Sequence, residues 1–384
     1  MTSPDVVVIG GGIVGCACAY YLSHEGLRVH LVEKNTVASG TSKAGQAHVC
    51  LWEQPEINLR LGGASRALYE ILAHELPFDI EYSQTGSIAV VEDPAGWLAF
   101  EQSVRSLQVF GLNCRLLTPA DLAAMEPNLA RDLAGGASFP EDAQVIPMYA
   151  ILALAEAAKR NGAVIHAFTE VTGIECSSQR VVRAVNTTAG RIPTKAVVNA
   201  AGVWSPEIGK MVGVDIPVKP RRGHIVVTEP VPHNVINCKI ILAAGYMQTL
   251  KAGGGVAIAA NIQQTPSGNM LLGSSREFIG MDWSVNPDVL QKMISRNLRF
   301  LPALKGIHAI RTYAGLRPYS PDLVPIIGPV DGVEGFYAAC GHEGAGITMG
   351  PITGKLISEI ITGQETTVPI EPLLLARFNH NQNL

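Results

Sequence analysis

The sequence predicts an α/β plus α+β fold in which a β-rich domain is inserted into a Rossmann-like dinucleotide-binding domain. Three observations support this prediction. The chain begins with a strand, a glycine turn, a helix and a second strand within about thirty residues. A second α/β stretch begins at Met148, and a glycine-rich turn precedes a final helix. Runs typical of β-strands separate these stretches, so one domain is assembled from separated pieces of the chain.

The first stretch has the order of a βαβ unit, whose crossover is right-handed. Residues 6–9 are a short apolar run that predicts a buried strand, and residues 13–24 predict a helix. Residues 28–32 predict the second strand, which ends at Glu33.

The turn between the first strand and the helix carries the pattern GxGxxG. Gly10 permits the tight turn, Gly12 lets a pyrophosphate approach the backbone, and Gly15 lets the helix pack closely on the strand. The helix N-terminus offers free N–H groups to phosphates. Glu33 stands where a carboxylate accepts both ribose hydroxyls. These features predict dinucleotide binding; the alternative is a plain glycine turn beside a surface glutamate.

The later elements follow from the same patterns. After a helix at 150–160 we expect strands at 164–168, 171–176, 181–187 and 196–200, β-like runs at 224–228 and 270–273, a helix near 287–298 and a final helix at 345–362. The predicted dinucleotide-binding domain comprises residues 1–84, 146–215 and 316–384, and the predicted substrate-binding domain comprises residues 85–145 and 216–315.

Composition excludes several classes of protein. Hydrophobic residues make up 47% of the chain and charged residues 16%, against a usual charged share of about 25%. This excludes intrinsic disorder and fits a well-buried enzyme or a subunit that covers its surface with partners. The formal net charge of −4 provides no field that would attract nucleic acid or anionic lipid.

The seven cysteines are scattered and form no CxxC pair, so we expect neither a disulfide framework nor a metal site. A reducing, cytoplasmic compartment is the default for such a chain. We expect no signal peptide, and the uncharged stretch 6–22 has a strand-turn-helix rhythm and is too short for a membrane span.

Three further stretches favour FAD over NAD as the dinucleotide. Residues 39–46 offer small residues, hydroxyls and backbone N–H groups, although such a stretch could also be a surface loop. Residues 197–205 are a buried strand that enters a turn of small residues. Residues 341–347 open the final helix, whose positive end would face the charge of a reduced flavin.

At these residues the chain resembles the FAD-dependent D-amino-acid oxidase superfamily, of the glycine oxidase and sarcosine oxidase type, over essentially its whole length. The resemblance is carried by VVVIGGGIVG, VVNAAGVWS, AGLRPYSPDLVPIIG and CGHEGAGITMGPITGKLI in the expected order. QQTPSGNMLLGSSRE and GHEGAGI are most similar to catalytic subunits of opine oxidases, of hydroxyproline and proline dehydrogenases, and of hydrogen cyanide synthase. The resemblance implies a GR2-type FAD-binding domain and non-covalent FAD.

The motifs and the resemblance together predict which residues contact the cofactor. They are Gly10, Gly12, Ile13, Val14, Gly15, Glu33, Lys34, Gly40, Thr41, Ser42, Ala44, Gly45, Gln46, Val171, Ala200, Ala201, Gly202, Trp204, Arg317, Gly341, His342, Glu343, Gly344, Ala345, Gly346 and Ile347.

Arg317 is the predicted substrate-binding residue. The matching arginine of glycine oxidase and its relatives pairs with the substrate carboxylate, and a planar guanidinium can do so through two charge-assisted hydrogen bonds. The alternative is an arginine that ties together the turn at Asp322.

Three more residues are candidates for the substrate pocket. His224 and Tyr246 could line a cavity in the β-rich domain, although either could simply pack there. Glycine oxidase has a tyrosine on the strand where this chain has Asn261, so we expect a reshaped, more amide-like pocket.

A covalent flavin is not expected. His48 and His342 lack the contexts in which relatives attach flavin, and Cys340, beside the flavin motif, is a minor alternative as a thioether. We interpret His342 as a local hydrogen-bonding residue.

The chemistry implied is oxidation of the C–N bond of an amino acid or a secondary amine. Hydride transfer to flavin N5 gives an imine, which water hydrolyses, while the protein orients the substrate. The expected substrates are opines, hydroxyproline or proline, sarcosine and glycine. The rivals are an NAD-dependent dehydrogenase and a flavoprotein that scaffolds a complex.

The resemblance also implies partners. We expect a hetero-oligomer in which other subunits carry iron–sulfur or a second flavin, and contact with the inner membrane would be made through those subunits. The alternative is a self-sufficient glycine or D-amino-acid oxidase that releases hydrogen peroxide.

Overall fold

The computed structural model describes residues 3–46, 48–52, 55–243 and 254–378. The strands are β1 (Val6–Ile9), β2 (Val29–Val32), β3 (His48–Val49), β4 (Ser87–Val91), β5 (Arg115–Leu117), β6 (Gly135–Phe139), β7 (Ala143–Gln144), β8 (Val164–His166), β9 (Val171–Cys176), β10 (Val182–Thr187), β11 (Gly190–Pro193), β12 (Ala196–Asn199), β13 (Lys219–Pro230), β14 (Lys239–Leu242), β15 (Ala257–Gln264), β16 (Asn269–Arg276), β17 (Ala309–Tyr319), β18 (Ile326–Pro329) and β19 (Phe336–Cys340). The α-helices are α1 (Ile13–His24), α2 (Glu56–Glu75), α3 (Pro94–Val109), α4 (Pro119–Met125), α5 (Pro147–Arg160), α6 (Ser205–Lys210), α7 (Pro287–Phe300) and α8 (Gly346–Thr362).

A six-stranded sheet has the order β18-β19-β12-β1-β2-β8 and is parallel except for β18 at its edge. The four residues of β1 are at most 5% exposed, because a central parallel strand is covered on both faces. Helix α1 packs against α5 and α8. A Cβ on Gly354 would lie 2.4 Å from the backbone of Ala17, so glycine lets α8 approach α1 closely.

An eight-stranded sheet has the order β17-β13-β16-β15-β14-β4-β6-β5 and is antiparallel except between β14 and β4. Helix α7 packs against β13, β15 and β16. Its Met293 and Phe300 share a buried cluster with Ala260 and Ile262 of β15. One face of this sheet is therefore covered by α7, which leaves the other face for the site.

Two smaller sheets complete the fold. β9, β10 and β11 form an antiparallel three-stranded sheet, and β3 pairs with β7. The β3–β7 pair brings His48 next to Gln144 across a gap of nearly one hundred residues. No helix within the described ranges is long and apolar enough to cross a membrane.

The predicted α/β plus α+β class is confirmed, and β1, α1 and β9 have the predicted bounds. α5 begins three residues before the predicted helix, because Pro147 fits its first turn. β13 is much longer than the predicted strand at 224–228, since its flanking prolines and arginines hide the β pattern. The predicted domain boundaries stay a prediction; β17 runs across the one placed between residues 315 and 316.

Candidate active site

One cavity is lined by both large sheets. On one side are the turns that follow the carboxyl ends of β1, β2 and β12, which is the usual binding edge of a parallel sheet. On the other side are residues of β13, β14, β15, β16 and β17. The cavity therefore joins the predicted dinucleotide-binding turns to the β-rich region.

Most of the predicted cofactor residues line this cavity. They are Gly10, Gly12, Ile13, Val14, Glu33, Lys34, Gly40, Thr41, Ser42, Ala44, Gly45, Gln46, Val171, Ala200, Ala201, Gly202, Trp204, Arg317, His342, Glu343, Gly344, Gly346 and Ile347. Gly15, Gly341 and Ala345 lie beside these residues in the chain but are not part of the lining.

The glycine turn explains why Gly15 is outside the lining. Gly10 has a φ of 110°, and a Cβ there would lie 2.5 Å from the carbonyl oxygen of Ala200. A Cβ on Gly15 would lie 1.8 Å from the carbonyl oxygen of Gly10. Gly15 thus serves the packing of α1 on the turn, and it is the turn that faces the cavity.

Glu33 and Ser42 organise the backbone around this turn. The Gly11 N–H donates to Glu33 Oε2 at 2.7 Å, and the Asn35 N–H donates to Glu33 Oε1 at 2.8 Å. Ser42 Oγ accepts from the first N–H of α1, that of Ile13, at 3.2 Å. A carboxylate and a helix N-terminus therefore stand side by side at the edge of the parallel sheet.

A cluster of arginines surrounds Glu343 near the first turn of α8. Arg276 Nε lies 3.1 Å and Arg221 Nη1 lies 3.5 Å from Glu343 Oε1. Burial raises the pKa of the Glu343 carboxyl, but the charges of Arg276 and Arg317, the hydrogen bond from Arg276 and the charge of Arg221 outweigh it and lower this pKa to about 2. Glu343 is therefore ionised, and the cluster is a fixed electrostatic feature of the cavity.

Arg317 lines the cavity at the end of β17. Its Nη1 donates to the carbonyl oxygen of Ser275 at 2.9 Å. A Cβ on Gly223 would lie 2.0 Å from the same Nη1, so glycine on β13 leaves the space that the guanidinium occupies. The carboxylate of Asp322 pairs with Arg377 at 2.7 Å, so the turn at Asp322 has an arginine partner other than Arg317.

The structure does not bring His224 to the cavity. Gly223 and Ile225 line it, and successive side chains of a strand point to opposite faces. His224 is fully buried; its Nδ1 lies 2.9 Å from Ser275 Oγ, and its Nε2 accepts from the Asn286 N–H at 3.2 Å. His224 therefore links β13 to β16 and to the start of α7. Tyr246 lies outside the described residues.

Sequence reasoning missed a polar group at the far side of the cavity. His48 Nε2 lies 3.2 Å from Asp142 Oδ2, and His48 and Lys239 both line the cavity. Burial and the Lys239 charge lower the pKa of His48 to about 4, although Asp142 opposes this, so the imidazole is neutral. The one available signal was the lysine that opens the apolar run of β14.

His48, Cys50 and Asp142 could also hold a metal ion, since their ligand atoms lie within 4.8 Å of one another. The carboxylate of Asp142 already accepts three hydrogen bonds, from the Leu51 N–H, from Trp52 Nε1 and from Ser87 Oγ. These donors leave little room for a cation. The positive charge of Lys239 also opposes a cation. We therefore assign His48, Cys50 and Asp142 a structural role beside the cavity rather than metal binding.

His342 and Cys340 are both buried. Burial lowers the pKa of His342 to about 4, and its Nε2 lies 2.9 Å from Thr353 Oγ1. Burial raises the pKa of Cys340 to about 12, although a hydrogen bond with Ser205 and the charge of Arg377 oppose it. Cys340 is therefore a thiol rather than the thiolate that a thioether link would need.

The residues present fit a flavin dinucleotide. The turn at Gly10 and Gly12 leaves no side chain where a pyrophosphate would lie, and a Cβ on Gly12 would already come within 3.1 Å of Ser42 Oγ. Residues at the N-termini of both α1 and α8 line the cavity, and helix N-termini favour negative charge. The fold and the site therefore define a flavin-dependent oxidoreductase whose cavity is lined by residues of both large sheets.

Comparison with known proteins agrees. Residues 5–360 match the family described as FAD dependent oxidoreductase, or DAO. Hydrogen cyanide synthase subunit HcnC of Pseudomonas protegens is 31% identical over 97% of this chain and 96% of its own length. Glycine oxidase of Geobacillus kaustophilus is 30% identical over 97% of each chain.

Solved structures give the same result. L-proline dehydrogenase from P. horikoshii superposes with a TM-score of 0.90 at 28% identity, covering 98% of each chain. Glycine oxidase from Geobacillus kaustophilus superposes with a TM-score of 0.89 at 27% identity, covering 98% of this chain and 99% of the other. This chain belongs to the DAO family of FAD-dependent oxidoreductases. FAD is its cofactor, and the alternative of an NAD-dependent dehydrogenase is wrong.

Proposed function

We propose that this enzyme oxidises the C–N single bond of an amino acid or a secondary amine of the opine, hydroxyproline or proline, sarcosine or glycine class. The position of Arg317 carries the proposal: its guanidinium faces the cavity through the space that Gly223 leaves. A planar guanidinium binds a carboxylate through two charge-assisted hydrogen bonds. The similar glycine oxidase and L-proline dehydrogenase are named for carboxylated substrates.

The roles of the other residues belong to the same proposal. The predicted residues that line the cavity would hold FAD, with Gly10 and Gly12 beside its pyrophosphate and Glu33 beside its ribose. When bound, FAD supplies the acceptor for the hydride that leaves the substrate. Arg317 fixes the substrate carboxylate and so orients the α C–H. The α8 N-terminus and Arg276 give positive potential at this end of the cavity.

Anaerobic bleaching of the flavin tests the proposal. The panel pairs glycine with methylamine, sarcosine with dimethylamine, and proline with pyrrolidine. We expect bleaching by at least one amino acid, with a rate constant about 100-fold or more above that of its decarboxylated partner. Absence of bleaching by every amine, or equal rates within the pairs, would contradict the proposal.

We further propose that the chain is the catalytic subunit of a cytoplasmic hetero-oligomer whose other subunits accept its electrons, with any inner-membrane contact made through them. The similar hydrogen cyanide synthase chain is named as a subunit. Met148, Tyr149 and Leu152 of α5 are each more than 40% exposed, as apolar surface that partners would cover. No four cysteines are close enough in the chain to suggest an iron–sulfur site, so such a centre would lie on a partner.

The test compares hydrogen peroxide release with dye reduction by the same purified chain. A subunit of a dehydrogenase should reduce an artificial dye much faster than oxygen and should co-purify with companions from its native host. If peroxide forms as fast as dye is reduced and the chain purifies alone, the alternative of a self-sufficient oxidase is correct.

A further inference from the structure

Asn261 lies on the β-rich side of the cavity and has an unused hydrogen-bond acceptor. It lies on β15, it is 6% exposed, and it lines the cavity. Its Oδ1 has no hydrogen-bond partner among the described residues. A buried acceptor without a donor is costly, and such atoms are uncommon in folded proteins, so one that lines a cavity is suited to accept from a bound molecule.

The orientation of Asn261 follows from the strand. Ala260 and Ile262 pack with Met293 and Phe300 of α7, on the covered face of the sheet. Side chains alternate along a strand, so Asn261 points to the opposite face, where the cavity lies. Its amide is therefore directed into the cavity by the packing of its neighbours.

Two other amides hold the backbone of Asn261 in place. Its N–H donates to Asn297 Oδ1 at 3.2 Å, and its carbonyl oxygen accepts from Gln46 Nε2 at 3.0 Å. Asn297 Nδ2 also donates to the carbonyl oxygen of Gly273 at 2.8 Å, which links α7 to β16. Asn297 and Gln46 are thus positioning residues for Asn261.

The side chains around Asn261 supply donors. Arg276 of β16 and Arg317 of β17 lie on one side of β15 in the sheet order and Lys239 of β14 on the other, and all three line the cavity. These side chains donate hydrogen bonds but cannot accept them. They suit a carboxylate. The amine of the same substrate brings N–H donors, which need an acceptor, and Asn261 Oδ1 is an acceptor that the protein leaves open.

We propose that Asn261 Oδ1 accepts an N–H of the substrate amine and so restricts the enzyme to primary and secondary amines. This inference rests on the proposed function and narrows its substrate class. A neutral secondary amine has one N–H and one lone pair. With the N–H held by Asn261, the nitrogen lone pair stays free to form the C=N bond. The hydrogen on the adjacent carbon then leaves as a hydride, with the electron pair of its C–H bond. A neutral tertiary amine has no N–H to offer.

Isomeric substrates separate the effect of this hydrogen bond on the rate from the effect of substrate size. N-ethylglycine and N,N-dimethylglycine have the same atoms, as do pipecolate and N-methylproline, but only the first of each pair keeps an N–H when neutral. We expect the wild-type holoenzyme to prefer the N–H isomer by at least about tenfold in kcat/KM, since a site built around a hydrogen bond rejects the analogue that lacks it.

Three variants test whether Asn261 causes the preference for the N–H isomer. Asn261→Leu keeps the volume and removes the acceptor, so the ratio within each pair should fall to about one. Asn261→Asp keeps an acceptor and should keep the preference. Gln263→Leu is the matched control, because Gln263 lies on the same face of β15 with an unpartnered Oε1 but does not line the cavity; its ratio should not change.

Equal rates for the two isomers in the wild type would overturn the inference, as would an Asn261→Leu variant that slows both isomers by the same factor. If no amine bleaches the flavin, the proposed function fails, and flavin absorbance titrations still decide the role of Asn261. Glycolate carries an O–H and methoxyacetate does not. Tighter binding of glycolate in the wild type, lost in Asn261→Leu, supports the inference, whereas equal binding contradicts it.

Discussion

The two ends of the cavity differ in whether the main chain or the side chains form their lining. The dinucleotide end consists of backbone and glycine: Gly10 and Gly12 shape the turn, and main-chain N–H groups surround Glu33. The proposed substrate end is lined by residues of five strands, among them the long side chains of Arg317, Arg276 and Lys239. The glycine turn and Glu33 lie within one short stretch of chain, whereas the proposed substrate end depends on the register of strands that are far apart in sequence.

The largest effect should come from the dinucleotide end. In Gly15→Ala the new Cβ would lie 1.8 Å from the carbonyl oxygen of Gly10, so α1 must move away from the turn. We expect a loss of about 3 kcal/mol in the free energy of unfolding and loss of FAD on purification, measured by thermal unfolding and flavin absorbance. Gly63→Ala, in the open interior of α2, is the control and should be neutral or slightly stabilising. A Gly15→Ala enzyme with full flavin would show that the turn is more tolerant than its geometry indicates.

The next effect is a pH dependence at the start of α8. Burial lowers the pKa of His342 to about 4 from 6.5, so folding favours the neutral imidazole. That stability is complete above about pH 6.5 and is lost as the pH falls toward 4, by about 3 kcal/mol. Urea unfolding between pH 7 and 4 measures it. His342→Gln should make the curve less steep in this range, with His48, whose pKa is also lowered to about 4, responsible for a remaining slope. An unchanged curve would assign the acid sensitivity to other groups.

The substrate end should respond in kinetics rather than in flavin binding. Arg317→Lys keeps the charge but loses the two-pronged guanidinium, so we expect kcat/KM to fall about 100-fold, or about 2.7 kcal/mol, mostly through KM. Flavin content should not change. Arg311→Lys, at an exposed position of the same strand, is the control. Unchanged kinetics with every carboxylated amine would remove Arg317 from the substrate site.

These contrasts show what the sequence can and cannot predict. The βαβ unit and the α1 bounds follow from patterns inside a single short stretch, so local propensity is enough. His224 illustrates the opposite case: its distance from the cavity depends on which face of β13 it occupies, which the sequence does not reveal without the pairing partners. Likewise, His48 and Asp142 meet only because β3 pairs with β7, and neither stretch carries a motif.

A smaller effect is expected at the ribose. Glu33→Ala removes the carboxylate that holds the Gly11 and Asn35 N–H groups and that should accept the ribose hydroxyls. We expect FAD affinity to weaken by about 2 kcal/mol, or roughly 30-fold, with little change in kcat at saturating FAD. Dialysis followed by flavin titration measures this affinity. Glu365→Ala, at an exposed position, should retain wild-type affinity, and a Glu33→Ala enzyme that keeps its flavin through dialysis would refute the assigned role.

The smallest effect concerns His224 on β13, a strand on the β-rich side of the cavity. Gly223 and Ile225 line the cavity, whereas the imidazole of His224 contacts Ser275 and the Asn286 N–H behind the sheet. His224→Gln should therefore cost about 1 kcal/mol of stability, the worth of a hydrogen bond, and leave kcat/KM within about twofold of the wild type. Thermal unfolding and steady-state kinetics on one preparation measure both quantities. A large fall in kcat/KM with normal stability and flavin content would mean that this histidine affects the reaction despite its position outside the cavity lining.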